Sequence, residues 1–189
     1  MPKEELKSPP RRTLTKRLIR EALLELLKTK SIQKISVREL CDAAGINRTT
    51  FYNHYDGTYE VLTEIEEHFL AQLSVEETAP GTTLDLEHHI ELLCTRLQKN
   101  KEVSLLLLEN NADPHFSDKL MAVRSCGTVW KQLGDAYTED ELLLLGDFLS
   151  SGAYALVFRW LKNGCRQSPK QVAELLAKII RYGVALPEF

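Results

Sequence analysis

Apolar residues at Leu14, Leu18, Ile19, Ala22, Leu23, Leu26 and Leu27 recur with a period near 3.6, which predicts an amphipathic helix in the first thirty residues. The pattern then shortens. Ser36 followed by Glu39 forms a capping-box signature, so a second helix starts near Val37 and turns Val37, Leu40, Cys41 and Ala44 inward. Gly45 follows as the residue able to take positive φ at a helix C-terminus. Asn47 is a good N-cap for a third helix running to about His54, with Ile46, Phe51 and Tyr55 facing back to the core. Asp56-Gly57 breaks the chain before another helix from about Tyr59.

Past Ser74, EETAPGTTLDL reads as a linker. Later helices are punctuated by Thr138 with Glu141, by Asn163-Gly164, and by Ser168, Pro169 and Gln171 as N-cap, N1 and N3. No period-2 strand and no internal repeat is visible, so the expected fold class is all-α. Leu142 to Leu161 is apolar almost all round. Asp147 and Arg159 within it argue against a membrane span and for a buried helix of a soluble chain. A helix of that kind needs a partner over one face. The stripe Val172, Leu175, Leu176, Ile179 and Ile180 supplies a second helix, and the pair predicts a homodimer through a four-helix bundle. Leu149, Gly152, Ala155, Leu156, Leu175, Leu176 and Ile179 are the expected interface residues, with the small side chains of Gly152, Ala153 and Ala155 permitting close approach.

Composition changes this picture in one respect. The net charge of −3 divides unevenly: residues 1–58 hold 12 Lys and Arg against 7 Asp and Glu, and residues 59–189 hold 12 against 20. The N-terminal part therefore suits a polyanion that the remainder would repel. The first ten residues, MPKEELKSPP, have no apolar core of a signal peptide, which makes a cytoplasmic location the expectation. Cys41, Cys94, Cys126 and Cys165 form no CxxC and read as small apolar side chains. His88-His89 lacks a completing ligand set, because neighbouring residues on a helix point about 100° apart, so no metal and no cofactor is expected. No nucleophile or acid–base constellation points to an enzyme.

Two short helices around a glycine-containing turn are the helix-turn-helix pattern, whose second helix enters the DNA major groove. That geometry accounts for the crowding of GINRTTFYNHY, since Arg48, Thr49, Thr50, Tyr52, Asn53 and His54 stay outside and carry groups that reach phosphates and base edges. The run from Ser36 to Gly45 and then Asn47 to Tyr55 resembles the TetR family of bacterial one-component regulators, over about residues 13–62. The stretch from Ser151-Gly152 through Arg159 to Gly164 and Ser168-Pro169 resembles a C-terminal variety found in many such proteins of Gram-positive bacteria.

The resemblance implies a DNA-binding domain at 1–58 and a helical effector-binding and dimerisation domain at 59–189. It implies DNA contacts from Arg12, Lys16, Ser36, Val37, Arg38, Asn47, Arg48, Thr49, Thr50, Tyr52, Asn53, His54 and Thr58. Within that set Tyr52 and His54 resemble the phosphate-contacting pair, and Arg48, Thr49 and Asn53 the base readers. Thr58 stands where the family usually has Lys, which shifts the expected phosphate affinity toward Arg11, Arg12, Lys16 and Arg17. Phe69, Trp130, Phe148 and Tyr154 are candidates to line a cavity for an unknown small-molecule effector, with core filling as the competing use of such aromatics. The implied function is a dimeric repressor released from a palindromic operator by its effector. The rival is an interaction protein of the same fold that acts through a protein partner without binding DNA itself.

Overall fold

The computed structural model describes residues 11–73, 86–109, 116, 119 and 137–184, and these contain eight α-helices and no strand. They are α1 (Arg11–Leu27), α2 (Val37–Ala44), α3 (Arg48–Tyr52), α4 (Thr58–Leu73), α5 (Leu86–Lys99), α6 (Lys101–Leu108), α7 (Glu139–Lys162) and α8 (Pro169–Val184). The chain is all-α as its periodicities predict. Most of the expected linker, Trp130 and Cys126 lie outside the described residues.

Helices α1 to α4 pack around one apolar centre to which Ile19, Leu23, Leu40, Phe51 and Leu62 contribute fully buried side chains. The stripe on α1 is only partly spent there. Leu14 and Leu18 remain exposed, because the helix begins beyond the edge of that centre. Further along, α8 packs along α5, and α6 lies against α7. Ser104 of α6 is buried without penalty, since its hydroxyl lies within hydrogen-bond distance of Leu97 O on α5 at 2.9 Å and of Asn100 O at 3.0 Å.

Capping chemistry sets the helix limits. Thr138 Oγ1 accepts from Glu141 N while Thr138 N donates to the Glu141 carboxylate, a complete capping box at the start of α7. Ser168 and Gln171 make the same reciprocal pair ahead of α8. At α2 only the hydroxyl half follows that scheme: Ser36 Oγ accepts from Glu39 N at 3.2 Å, and the Glu39 carboxylate turns to Lys30 Nζ.

Three expectations need correction. The third helix stops at Tyr52, not near His54, because His54 N donates to Phe51 O and tightens the chain into a turn that carries Tyr55 into the core. The apolar helix α7 is not buried within the chain: no part of its most apolar window is enclosed, and Leu143, Leu144 and Phe148 stand exposed. By length and composition alone it could cross a bilayer. On α8, Leu175 and Ile179 are exposed but Leu176 is buried, so Leu176 belongs to the protomer's own core and not to an interface.

One ion cluster fastens α4 to α1. Glu64 accepts from Lys16 Nζ at 2.5 Å and from Arg20 Nη1 at 2.6 Å, and Lys16 sits 4.9 Å over the Tyr55 ring. Burial opposes ionisation of Glu64, yet the two cationic donors outweigh it and hold the carboxyl below its ordinary value. Burial beside Glu64 pushes the Tyr55 phenol well up. A carboxyl whose pKa is lower in the folded than in the unfolded state binds fewer protons when folded. Its contribution is therefore complete above the unfolded value of about 4.3 and is lost as pH falls through the folded value. Glu64→Gln should lower stability by about 1–2 kcal/mol at pH 7 and flatten the acid limb of a Tm-versus-pH profile; an unchanged acid limb would remove Glu64 as its source.

Candidate nucleic-acid interface

The geometry between α2 and α3 is set by backbone conformation before any side chain reaches outward. Gly45 adopts φ 66°, ψ 33°, and the following Ile46 N–H returns to Cys41 O at 3.0 Å. Only a residue without Cβ takes that left-handed region at no cost. Asn47 Oδ1 then accepts from Thr50 N at 2.7 Å and starts α3. Phe51 is fully buried and meets the rings of Tyr52 at 5.6 Å and Tyr55 at 5.8 Å, which fixes the rotation of α3 about its axis.

With that rotation Arg48, Thr49, Tyr52 and Asn53 are exposed, Tyr52 to 55%. Thr50 and His54 are half-buried, and the Nδ1 of His54 is enclosed. At the start of α2, Ser36 and Arg38 are exposed and Val37 is half-buried. The Ser36 oxygen serves as the cap of α2 but its O–H remains a donor. Arg38 lies 3.9 Å from Asp42 with both side chains open to solvent, too weak an association to withdraw the guanidinium. Donors at the N-terminus of α2 and along the outer side of α3 are therefore carried on one helix–turn–helix unit, as the sequence pattern predicts.

Other predicted residues fall elsewhere. The Lys16 ammonium is engaged by Glu64 in a half-buried ion pair. Thr58, the first residue of α4, is only 8% exposed, so its hydroxyl does not replace the family's lysine at the surface. Arg12 is exposed, and Arg17 reaches Glu21 loosely at 3.5 Å. Among the effector candidates, Phe69 is buried with its ring centroid 6.0 Å from that of Phe116. Tyr154 is half-buried, donates to Leu108 O at 2.6 Å and stacks on Phe158. Phe148 is 73% exposed. Sequence reasoning missed Glu64 and Arg20, which lie 44 residues apart and have no local signal to join them. His89, with its imidazole pKa lowered by burial, joins no metal cluster among the described residues.

Two stretches of the chain match known families. Residues 85–182, just over half of the chain, match the transcriptional regulator C-terminal region family. Residues 19–65 match the bacterial regulatory proteins of the tetR family. An uncharacterized HTH-type transcriptional regulator, YxbF of Bacillus subtilis strain 168, is 20% identical over 175 residues, which cover 86% of this chain and 43% of that protein. The chain thus spans less than half the length of this curated relative. Among solved structures, a TetR transcriptional regulator from Streptococcus agalactiae 2603V is similar with a TM-score of 0.70 at 21% identity, over 89% of this chain and 94% of that one. Thermus thermophilus FadR, a TetR family transcriptional repressor solved in complex with lauroyl-CoA, has a TM-score of 0.55 at 20% identity, over 92% and 97%. These likenesses concern the fold.

The turn between α2 and α3 yields a stability test. A Cβ added at Gly45 would meet nothing within 4 Å, so the cost of Gly45→Ala is backbone strain alone, about 1–2 kcal/mol. Gly45→Asn should recover much of it, because Asn tolerates the left-handed region. Chemical denaturation of the two variants measures the difference, and equal losses would show that φ at Gly45 is not the constraint.

Proposed function

The chain belongs to the tetR family of bacterial regulatory proteins, DNA-binding regulators of transcription, and from that premise we propose that it is a cytoplasmic homodimeric repressor that binds a palindromic operator and is released by a small-molecule effector. The observation that carries this reading is the set of exposed donors on α3 and the start of α2, held in a fixed orientation by Gly45, Asn47 and Phe51. Residues 1–58 act as the DNA-binding domain and residues 59–189 as the effector-binding and dimerisation domain. Tyr52, His54, Ser36 and Arg38 take phosphates, and Arg48, Thr49 and Asn53 read base edges.

Dimerisation is supported by the exposed apolar residues Leu143, Leu144 and Phe148 on α7 with Leu175 and Ile179 on α8. A second copy covers them and accounts for the apolar length of α7 without a membrane. Leu149, Gly152, Ala155 and Leu156 continue along α7, and the absence of a side chain at Gly152 leaves room for a close helix. The two-fold axis sets two copies of α3 about one helical turn of DNA apart or more, ~34 Å, and selects a palindrome. An effector acts by favouring a dimer with another separation, through its differential affinity for the two states. Repression is the role given to the Thermus FadR of the same fold, whose bound lauroyl-CoA shows that this fold accommodates a ligand in at least one case.

Selection of bound duplexes from a random DNA pool is the decisive experiment. Wild type should enrich a palindrome, and a Tyr52→Ala, His54→Ala double variant should enrich none. Tyr52→Phe and His54→Ala should each weaken binding to all sites alike, by about 1–2 kcal/mol. Thr49→Ala and Asn53→Ala should relax preference at particular bases, by about 1–3 kcal/mol each. Uniform loss in all four would undo the division of roles, and no enrichment by wild type at low salt would favour action through a protein partner.

Leu144→Asp with Phe148→Asp should convert a dimer to a monomer in analytical ultracentrifugation and abolish binding to the full palindrome. Retention of the dimer would place the interface elsewhere.

A further inference from the structure

A cavity of about 220 Å³ lies where α1 meets α4 and α6. Its lining comes from α1, α4 and the start of α6, and none of the groups on α2 and α3 assigned to DNA opens into it. Phe69 and Ile65, both buried, and the half-buried Leu24 and Val103 form its apolar part. Its polar edge is a chain of contacts: Gln72 Nε2 lies 2.9 Å from His68 Nε2, and Asn100 Nδ2 donates to Gln72 Oε1 at 3.5 Å. Arg17, Arg20 and Glu21 complete the lining.

Charge decides what would bind. Arg20 is satisfied by Glu64, which it shares with Lys16, so that cluster carries one positive charge in excess. Arg17 reaches Glu21 at 3.5 Å, with both side chains more than half exposed. Such a contact is worth little and yields readily to a better-placed anion. The volume is below the ~300–1,000 Å³ of sites that take drug-sized ligands, which limits the occupant to a short chain or a single ring.

We propose that this cavity binds a small amphipathic carboxylate, its apolar body against Phe69, Ile65, Leu24 and Val103 and its head group on Arg17, and that its occupancy weakens DNA binding. The second half rests on the proposed function. An occupant ties α1 to α6 and adds a negative charge beside α1, the helix that supports the DNA-binding unit. The added charge opposes a polyanion at that end of the molecule.

Calorimetric titration of the full chain with octanoate tests the site without DNA. Saturable binding, one per chain, is expected, with octan-1-ol and octylamine weaker by at least about fivefold because they lack the anion. Val103→Trp, which fills the cavity, and His68→Glu, an exposed change that puts a like charge on its edge, should each weaken octanoate by about tenfold or more. No octanoate binding, or binding undiminished in both variants, overturns the site. On the selected operator, saturating octanoate should lower affinity by at least about fivefold, the lower end of ordinary coupling; unchanged affinity overturns the coupling. A chain that binds no DNA even without octanoate defeats the proposed function instead, and the calorimetry still decides the site.

Discussion

Phe51 is fully buried, the fourth residue of a helix only five residues long, and the orientation of every outward group on α3 depends on that burial. A helix this short has no stability of its own, since nucleation costs more than one or two hydrogen bonds return. Burying the phenyl ring contributes about 1.5–3 kcal/mol, and the Asn47 cap adds about 1 kcal/mol. Gly45 removes the strain that the preceding turn would otherwise impose. Together these three residues hold α3 in one rotation, which leaves Arg48, Thr49, Tyr52 and Asn53 outside.

This division explains why so much of the site was legible in the sequence. Caps, turn glycines and the i, i+4 spacing of Phe51 and Tyr55 are local, so Ser36, Gly45, Asn47, Thr138 and Ser168 mark helix limits directly, and the all-α class follows from them. What depends on pairing across the chain was not legible. Glu64 reads as one more charge on a solvated helix until α1 is placed beside it. Lys16, expected at the DNA surface, is paired with the same carboxylate. Thr58 is buried for the related reason that α4 begins at the edge of the N-terminal core.

The C-terminal part shows the limit of periodicity more sharply. On α8 the stripe from Val172 to Ile180 is wide enough to face two neighbours, and only the packing of α8 along α5 separates Leu176, buried, from Leu175 and Ile179, exposed. Apolarity all round α7 predicts a buried helix, yet among the described residues its most apolar window is not enclosed. Counting apolar residues cannot tell a core face from an interface face, because both exclude water equally well.

Helix α4 is the element these observations share. At its N-terminal half Glu64 is gripped by Lys16 and Arg20 of α1; at its C-terminal end Arg96 of α5 donates to Leu73 O at 3.1 Å. Sixteen residues of helix make a rod of about 24 Å that is pinned to the DNA-binding unit at one end and to α5 at the other. Its middle is anchored too, since Phe69 meets Phe116 within the larger core. Close packing leaves such a rod little freedom to move independently of its neighbours, so α5 and α1 are both seated on the same element. The C-terminal part of the chain is thereby in mechanical contact with the DNA-binding unit, through the apolar packing of α4 on α1 and the Glu64 cluster beside it.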